Sequence, residues 1–416
     1  MPPAPFLSTG PRVALPLLVA LCAACGGDAV RPGGSGETLR AQALAAGLAP
    51  MPTEPPRPID NPYDSARVEL GHRLFFDPIL SGARDAACGT CHLPRFAFTD
   101  GRQFPSGTGA TGLGPDRTLP EPPPLRPMPR NSPTVMNVGL FGHMSPEPSI
   151  NGTMFWGANA FGLEDQVLGP ISADNELRGL GYSKIDARDS VLARLRTIPE
   201  YVDRFTDAFP DIASTPGTSV EQLVSATTLR RALAAYIREL ITPHAPLDAF
   251  LEGNDEALTD AQKAGLGLFI GEANCVACHR GPLLSDFTPH VLGTPQLGVG
   301  RDSTPGDDVG WGEQGGIPYA FRTPPLRQVT LTPPYFHAGS AVTLEDVVRF
   351  KNAGVSGYDR VTPTMLDPAM HPLGLTEQDI SNLLAFFQAL TDTISTKNPL
   401  FDAPPTVPSG LPVPKD

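Results

Sequence analysis

Two five-residue segments of the chain, residues 88–92 and 275–279, both have the pattern Cys-x-x-Cys-His. Two thiols one helical turn apart can add to the two vinyl groups of a haem, and the adjacent imidazole can then bind the iron. A thioredoxin-like redox pair does not need the histidine, and a zinc site with four ligands would need the two segments to converge. The sequence therefore predicts two covalently attached c-type haems. The residues concerned are Cys88, Cys91, His92, Cys275, Cys278 and His279.

The two remaining cysteines lie in an apolar region near the N-terminus. Residues 13–24 form an apolar run preceded by Arg12, which is too short to span a bilayer and is typical of a signal peptide. Residues 23–27, Ala-Ala-Cys-Gly-Gly, resemble a bacterial lipobox, and this resemblance implies that Cys25 carries a lipid. The alternative is an ordinary secretory signal that is cut near Ala24.

These features predict an exported protein. We expect residues 1–25 to be a lipoprotein signal peptide and residues 26–55 to be a flexible tether. Because no other apolar stretch of 18 residues occurs, the lipid is the only membrane attachment that we expect. The expected location is the periplasm or the cell surface, and resemblance to lipoproteins favours the outer membrane because Gly26 carries no charge.

The composition argues against some classes of function. The 416 residues include 44 acidic and 31 basic side chains, which gives a formal net charge of −13. Such acidity argues against non-specific nucleic-acid binding, which needs a basic face, and it suits a soluble partner with a basic docking surface. A hydrophobic content of 40% is sufficient for folded cores, while 49 prolines and 42 glycines predict long ordered loops.

An internal repeat divides the chain into two similar halves. Both halves contain the same five features in the same order. They are a segment from Gly to Phe, a haem motif, an aspartate, a segment that begins with proline, and a Leu-Glu-Asp segment. The matching parts are 71–75 with 265–269, Asp100 with Asp286, 133–138 with 324–329, and 163–167 with 344–348. Trp156 and His337 each lie seven residues before the Leu-Glu-Asp segment, so they are positional equivalents. We expect two cytochrome c-like domains, mainly α-helical and related by duplication, that face each other.

Helices and loops can be assigned around these segments. Apolar spacing and capping residues predict helices over 183–209 with a break at Pro199, over 219–241, from Thr259 into the second haem motif, and over 376–390. The Gly/Pro-rich stretches 105–130 and 289–318 are expected to be ordered loops around the haems. The expected domains are an N-terminal haem domain over 56–230, a C-terminal haem domain over 231–400 and a Pro-rich tail over 401–416.

With these residues established, the chain resembles the bacterial di-haem cytochrome c peroxidase / MauG family over roughly residues 64–395. Beyond the haem motifs, the resemblance depends on short matches. They are Pro129-Arg130-Asn131-x-Pro133-Thr134, Trp156-Gly157, Gln166, Glu176, and Thr332-x-Pro334-Tyr335-Phe336-His337-x-Gly339. The spacing from Trp156 to Gln166 to Glu176, ten and ten, is the spacing found in the family.

The resemblance implies catalytic roles for three residues. Hydrogen peroxide would be cleaved at the first haem, where Glu176 would move a proton between the two peroxide oxygens with Gln166 as its neighbour. Trp156 would relay electrons between the haems. Taken alone, Glu176 is typical of a surface carboxylate and Trp156 of a core aromatic residue, so these roles depend on the resemblance.

A calcium ion is also implied by the resemblance. In the family it lies at the domain junction and is bound by the residue that matches Asn131 and by the backbone carbonyls that match Thr332 and Pro334. Ligation by oxygen atoms alone suits a hard cation.

The sequence departs from the family at the second haem. The family places Met or Tyr fourteen residues after the histidine that matches His337, whereas this chain has Lys351 there. A neutral amine can bind ferric haem once burial and the metal have lowered its pKa. Lys351 is therefore a candidate sixth ligand. The alternatives are a Lys351 that points to solvent beside a five-coordinate iron, or ligation by Met365, Met370 or His371.

A second departure concerns the first haem. Family members that need reductive activation carry a distal histidine shortly before the Arg-Asn pair, but no histidine occurs here between His92 and His143, and the loop is occupied by Pro120–Pro129. We therefore expect an open, high-spin first haem in the resting state. His143 is the one residue that could reach it from this region.

The function expected from these features is peroxide reduction by a di-haem peroxidase, with a small cytochrome c or a cupredoxin as electron donor. One alternative within the family is MauG-like oxidation of a side chain in a partner protein. Two alternatives outside this class are a non-catalytic di-haem electron carrier, which would need no distal acid, and a sensor that binds a small gas.

Overall fold

The computed structural model describes residues 36–141, 153–301 and 306–415. The signal peptide, Cys25 and His143, for which we made predictions above, lie outside these described residues. None of the described helices is long and apolar enough to cross a membrane.

Short helices joined by long loops form the described structure. The helices are α1 (Gly36–Ala45), α2 (Ser65–Phe75), α3 (Cys88–Cys91), α4 (Leu163–Gln166), α5 (Gly169–Ser172), α6 (Lys184–Arg196), α7 (Pro199–Ala208), α8 (Pro210–Ala213), α9 (Val220–Leu223), α10 (Ala226–Arg238), α11 (Pro246–Leu251), α12 (Asp260–Ile270), α13 (Leu344–Ala353) and α14 (Glu377–Gln388). The strands β1 (Thr153–Met154), β2 (Ala160–Phe161), β3 (Pro289–His290) and β4 (Phe321–Arg322) form two antiparallel pairs, β1 with β2 and β3 with β4. The mainly α-helical fold that we predicted is confirmed.

Two hydrophobic cores correspond to the two halves of the repeat. Helices α2, α7 and α10 surround the first core, and helices α1, α11, α12 and α14 surround the second. In the first half α2 crosses α10 at Gly71, where a Cβ atom would collide with the backbone oxygen of Ala232. In the second half α12 crosses α14 at Gly265, where a Cβ atom would collide with the backbone oxygen of Asn382. Equivalent glycines of the repeat thus allow the same close helix crossing.

A second pair of equivalent residues ties each loop to its helix. Asn137 has φ +64° and its N–H donates a 2.8 Å hydrogen bond to Leu240, just after α10. Gln328 has φ +63° and its N–H donates a 3.1 Å hydrogen bond to Leu390, just after α14. A positive φ is uncommon for residues other than glycine. Its recurrence at equivalent positions shows that the two halves share backbone geometry as well as sequence.

The helix predictions are confirmed with two corrections. The helix predicted from Thr259 into the second haem motif is too long, because α12 ends at Ile270 and Cys275–Ala277 form a separate short helix. Helices α6 and α7 cover 183–209 with the break before Pro199, Thr259 caps α12, and Thr376 caps α14. The single helix predicted over 219–241 is wrong, because it divides into α9 and α10. The division occurs where the Ser225 hydroxyl accepts a hydrogen bond from the N–H of Thr228 and so begins a new helix.

The flexible tether predicted over 26–55 is wrong for its described part. Residues 36–45 form α1, and Ala43, Leu48 and Met51 are buried. Ala43 and Leu48 pack in the second core, and the N–H of Met51 donates to Asp248. The small and apolar side chains of this segment therefore belong to the folded domain.

The domain boundary predicted between residues 230 and 231 also needs correction. It falls inside α10, whose Leu229, Leu233 and Ile237 are buried in the first core. Along this stretch of the chain, Leu240 belongs to the first core and the next core residue, Leu247 on α11, belongs to the second. The change from one half to the other lies between these two residues.

The described part of the Pro-rich tail predicted over 401–416, residues 401–415, is packed against the N-terminal half. Phe401 is buried beside Phe98 with 5.9 Å between ring centroids, and the Asp402 carbonyl lies 2.8 Å from Nε2 of His72. The Ser409 hydroxyl donates to the buried carboxylate of Asp77 at 2.6 Å. The end of the chain thus completes the first core.

Candidate di-haem active site

Both Cys-x-x-Cys-His motifs open into one continuous cavity of about 980 Å³. The cavity wall includes the thiols and imidazoles of both motifs together with Trp156, Gln166, Glu176 and Lys351. Its volume is at the upper end of the range of about 300–1,000 Å³ that is common for ligand and cofactor sites. The structure therefore brings together the haem-attachment residues and the catalytic residues that we predicted from sequence.

The two motif histidines are held in the same way. Nδ1 of His92 lies 3.0 Å from the carbonyl oxygen of Phe98, and Nδ1 of His279 lies 2.8 Å from the carbonyl oxygen of Leu284. A proton on Nδ1 leaves the lone pair on Nε2, which is the form that binds a metal. Burial lowers the pKa of His279 to about 4, and it also lowers the pKa of His92. Both rings are thus neutral at physiological pH and fit the role of proximal iron ligand.

The four motif cysteines fit haem attachment better than the two alternatives. All four are free thiols, and burial raises the pKa of Cys88 to about 12, so this thiol is unsuited to a redox pair. Among the described residues, one group of three candidate metal ligands has donor atoms within 4.8 Å of one another, namely Cys278, Asp286 and His290. The two motifs do not converge as a zinc site would require.

Glu176 lies in a single π-helical turn, Asp174–Arg178, and not on an open surface loop. Residues 107 and 108 pack directly against this turn and hold it in place. The N–H of Thr108 donates to the Glu176 carbonyl at 2.7 Å, and a Cβ atom on Gly107 would collide with the same oxygen. Burial raises the pKa of Glu176 to about 7, and the more distant charge of Arg301 opposes this shift. A carboxyl group with this pKa can both accept and return a proton near neutral pH.

Gln166 ends α4 and lines the same cavity as Glu176. The loop that carries a distal histidine in some family members contributes Pro127, Met128 and Pro129 to the wall. Among the described residues, the other two histidines of the wall are already held by protein partners. His290 lies between the carboxylates of Asp286 and Asp367, and His337 stacks on Phe321 and bonds Gln296.

Trp156 is held by both halves of the chain. Its Nε1–H donates a 2.9 Å hydrogen bond to the carbonyl oxygen of Asn131, in the first half. Its own carbonyl oxygen accepts a 2.8 Å hydrogen bond from the N–H of Arg322, in the second half. The indole therefore has a fixed position in the wall of the cavity that the two haem motifs share.

Lys351 lies in the last turn of α13 and lines the cavity. Its Nζ donates to the sulfur of Met370 at 3.5 Å, and burial lowers its pKa. Met370 is buried behind it, Met365 packs in a separate cluster with Val361, and His371 is exposed. The structure thus places only one of the four candidate ligands in the cavity wall.

The three residues that we associated with calcium also meet at this wall. The Asn131 amide donates to the Arg102 carbonyl at 2.8 Å, which leaves its Oδ1 oxygen as a possible ligand. Within the described residues, the carbonyl oxygens of Thr332 and Pro334 accept no hydrogen bond. These oxygen donors fit a hard cation.

A buried cation in the cavity wall was missed from the sequence. Arg322 is 4% exposed and lies 5.0 Å from the ring centroid of Phe141. Within the described residues, its guanidinium donates only to the carbonyl oxygens of Phe155 and Thr323. Burial lowers its pKa to about 10. In the sequence it is one arginine in a loop, and only the fold shows that it faces the cofactor cavity.

Two haem motifs in one cavity, with a buried carboxyl group beside them, define an oxidoreductase of the di-haem c-type class. A family model for di-haem cytochrome c peroxidase matches residues 65–256. A cytochrome-c peroxidase IdrP1 of Denitromonas iodatirespirans is 32% identical over 388 residues, which is 87% of this chain and 89% of that protein. The chain belongs to the di-haem cytochrome c peroxidase family, and it is an oxidoreductase that acts on peroxide.

Two further similarities come from the MauG branch. A methylamine utilization protein MauG of Methylorubrum extorquens is 31% identical over 388 residues, covering 90% of this chain and 95% of that protein. A solved structure of a MauG-like protein associated with microbial copper homeostasis superposes with a TM-score of 0.69 at 29% identity, over 86% of this chain and 98% of that chain. The recognition of the family from sequence is confirmed.

Proposed function

We propose that hydrogen peroxide is reduced at the N-terminal haem and that electrons enter through the C-terminal haem. The observation that supports this division is the position of Glu176, whose pKa is raised to about 7 and which lies close enough to Cys88 and Cys91 of the first motif for its charge to raise the pKa of both thiols. When bound, the haems supply the iron that binds peroxide and the route by which two electrons arrive. The overall reaction consumes one hydrogen peroxide, two electrons and two protons and releases two waters.

The protein's part in this reaction is proton transfer and positioning. The ionised carboxylate of Glu176 accepts a proton from the peroxide oxygen that lies nearer to the iron. It returns this proton to the other oxygen, which leaves as water. The backbone contacts of its π-helical turn hold the carboxyl group in place, and Gln166 offers a neutral amide on the same wall. Trp156, held by hydrogen bonds from both halves, offers the aromatic ring for electron transfer between them.

Electron paramagnetic resonance of the ferric holoprotein tests this assignment. We expect one high-spin iron, the open peroxidatic site, and one low-spin iron. Two low-spin signals that do not respond to cyanide or peroxide would contradict the proposal and would favour the electron carrier. The variant Glu176→Gln should keep both resting signals and lose most of the reaction with peroxide.

A MauG-like role, oxidation of a side chain in a partner protein, is the second candidate. It is favoured by the absence of a methionine at position 351 and by the proline loop that replaces the distal histidine. Peroxide turnover with a reduced small cytochrome c or a cupredoxin would support the peroxidase. If neither donor is consumed while peroxide still reacts, the protein-oxidising role is supported instead.

We further propose that calcium binds Asn131, Thr332 and Pro334. The support is the set of oxygen atoms in the cavity wall described above. Isothermal titration of calcium into holoprotein treated with a chelator tests it. The variant Asn131→Ala should weaken binding, and unchanged binding would contradict the proposed ligand set.

Export as a lipoprotein anchored through Cys25 remains our proposal for location. It depends on residues 13–27, which carry the apolar run and the lipobox-like segment. Incorporation of a labelled fatty acid in the native host, and its loss in Cys25→Ser, would support lipidation. Incorporation that persists in this variant would contradict it.

A further inference from the structure

We propose that Nζ of Lys351 would be the second protein ligand, with His279, of the iron of the C-terminal haem. The proposal depends on the proposed function only in taking two haems to be attached at the two motifs. It assigns the metal ligand at the position where the sequence has Lys351 instead of the Met or Tyr that the resemblance implies.

The orientation of α13 supports the proposal. Leu344, Val347, Val348 and Lys351 all line the haem cavity, and their spacing of three, four and seven residues is that of one helix face. The opposite face carries Arg349, which pairs with Glu345 at 2.7 Å and with Glu377 on α14 at 2.6 Å. One face of α13 thus carries surface ion pairs and the other lines the cavity, which directs Lys351 toward the cavity.

Both ends of α13 are also fixed. Thr343 and Asp346 form a reciprocal capping box at its start, and Gly354 ends it with φ +62°. A Cβ atom on Gly354 would collide with the backbone of His371 and Pro372, so the end of the helix lies directly against that segment. The amine of Lys351 therefore projects from a helix that is fixed at both ends.

The electrostatic environment favours a neutral amine. Within the described residues, Lys351 forms no ion pair, and its one hydrogen bond is to the thioether of Met370. The carboxylate of Asp367 contributes a more distant attraction, but it is already bonded to His290 at 2.7 Å. A buried ammonium without a bonded counter-charge is costly, whereas a neutral amine has a lone pair that a ferric iron can accept.

The neighbouring alternatives are placed less well. Met370 and Met365 do not line the cavity, and His371 is exposed, with Nδ1 3.2 Å from the Pro372 carbonyl. Lys351 is close enough to Cys275 and His279 for its charge to lower the pKa of each. It is thus the candidate that both lies near the second haem motif and lines the cavity.

Near-infrared magnetic circular dichroism and electron paramagnetic resonance of the ferric holoprotein test the proposal. We expect one low-spin iron without the charge-transfer band of methionine ligation. Lys351→Met should keep the iron low-spin, introduce that band and raise the reduction potential of this haem, because a thioether stabilises the ferrous state better than an amine. Lys351→Ala should abolish the low-spin signal, and added methylamine should restore it.

Two control variants make the test specific. Met370→Leu removes the neighbouring sulfur and should leave the wild-type spectrum unchanged. Lys184→Ala removes another lysine of the cavity wall, at the start of α6, and should also have no effect. A methionine band in the wild type that is lost in Met370→Leu would overturn the proposal, and so would a low-spin signal that survives in Lys351→Ala without added amine.

The outcome is separable from that of the proposed function. The ligand is identified in the resting ferric protein without peroxide, whereas the peroxidatic role is tested by Glu176→Gln with peroxide. A protein with a lysine-ligated second haem that does not react with peroxide would refute the proposed function alone. A protein that reduces peroxide with a second haem ligated by another residue would refute the lysine ligand alone.

Discussion

The Nε1–H of Trp156 donates a 2.9 Å hydrogen bond to the carbonyl oxygen of Asn131. Asn131 is also the residue whose side chain we assign to calcium, and its N–H donates to the carbonyl oxygen of His337 at 2.7 Å. One residue therefore connects the indole, the proposed cation site and the second half of the chain. A disturbance at any of these three points is expected to reach the other two.

Replacement of the indole should separate peroxide chemistry from electron supply. We predict that Trp156→Phe lowers steady-state turnover by about tenfold or more, equivalent to about 1.4 kcal/mol of barrier, because the phenyl ring is harder to oxidise. The first reaction with peroxide, followed by stopped-flow absorbance, should change little. Trp311→Phe alters the other tryptophan and should affect neither rate. Equal loss in both steps of the Trp156 variant would show that the indole is not a relay.

Glu176 should determine the pH dependence of the reaction with peroxide. Because burial raises its pKa to about 7, the carboxylate that accepts the first proton is lost as the pH falls below about 7. We therefore predict that the second-order rate constant falls on the acidic side of this value. Glu176→Gln should lower the constant by about a hundredfold to ten-thousandfold and remove this pH dependence.

The control for this prediction is Asp174→Asn, an exposed carboxylate in the same π-helical turn. It should keep a rate constant close to that of the wild type and only lower the apparent pKa slightly, because the charge of Asp174 raises the pKa of Glu176. A pH profile that is unchanged in Glu176→Gln would assign the titration to another group.

Two glycines of α12 should respond in opposite ways to alanine. We predict that Gly265→Ala destabilises the protein by about 1–3 kcal/mol, because the new methyl group would collide with the backbone of α14. Gly267→Ala meets its nearest neighbour, a methyl of Leu39, at 4.0 Å, and should stabilise by up to about 1 kcal/mol through helix propensity. Chemical denaturation of the holoprotein measures both. Equal effects would contradict the close crossing of α12 and α14.

The last segment of the chain should stabilise the first core. We predict that Phe401→Ala costs about 3–5 kcal/mol, because the ring is buried against Phe98. Hydrogen exchange should then rise in α2 and α10 more than in α12 and α14. A uniform rise across all four helices would show that the effect is global rather than local to the first core.

Much of the site could be predicted from sequence because haem attachment is encoded in five adjacent residues. The repeat can also be recognised in the sequence, because a close helix crossing in each half requires a glycine at the equivalent position, Gly71 and Gly265. Helix starts such as Thr259 and Thr376 can be predicted from the sequence, because a capping side chain accepts a hydrogen bond from a backbone N–H only a few residues away.

What could not be predicted depends on contacts between distant parts of the chain. The segment before residue 56 lacks a strong helical pattern, so only its packing on α12 shows that Leu48 is a core residue. The raised pKa of Glu176 comes from burial by loops far away in sequence. The choice among Lys351, Met365 and Met370 likewise required knowledge of which side chain reaches the cavity.

The two ends of the described structure pack in a crossed arrangement, with α1 against the second core and residues 401–415 against the first. A cut in the linker between Leu240 and Leu247 would consequently not release two independent haem proteins. Each fragment would lack a terminal segment that the other carries, so we expect the pair to remain associated and to melt in a single cooperative transition. Expression of either half alone should yield an incomplete domain.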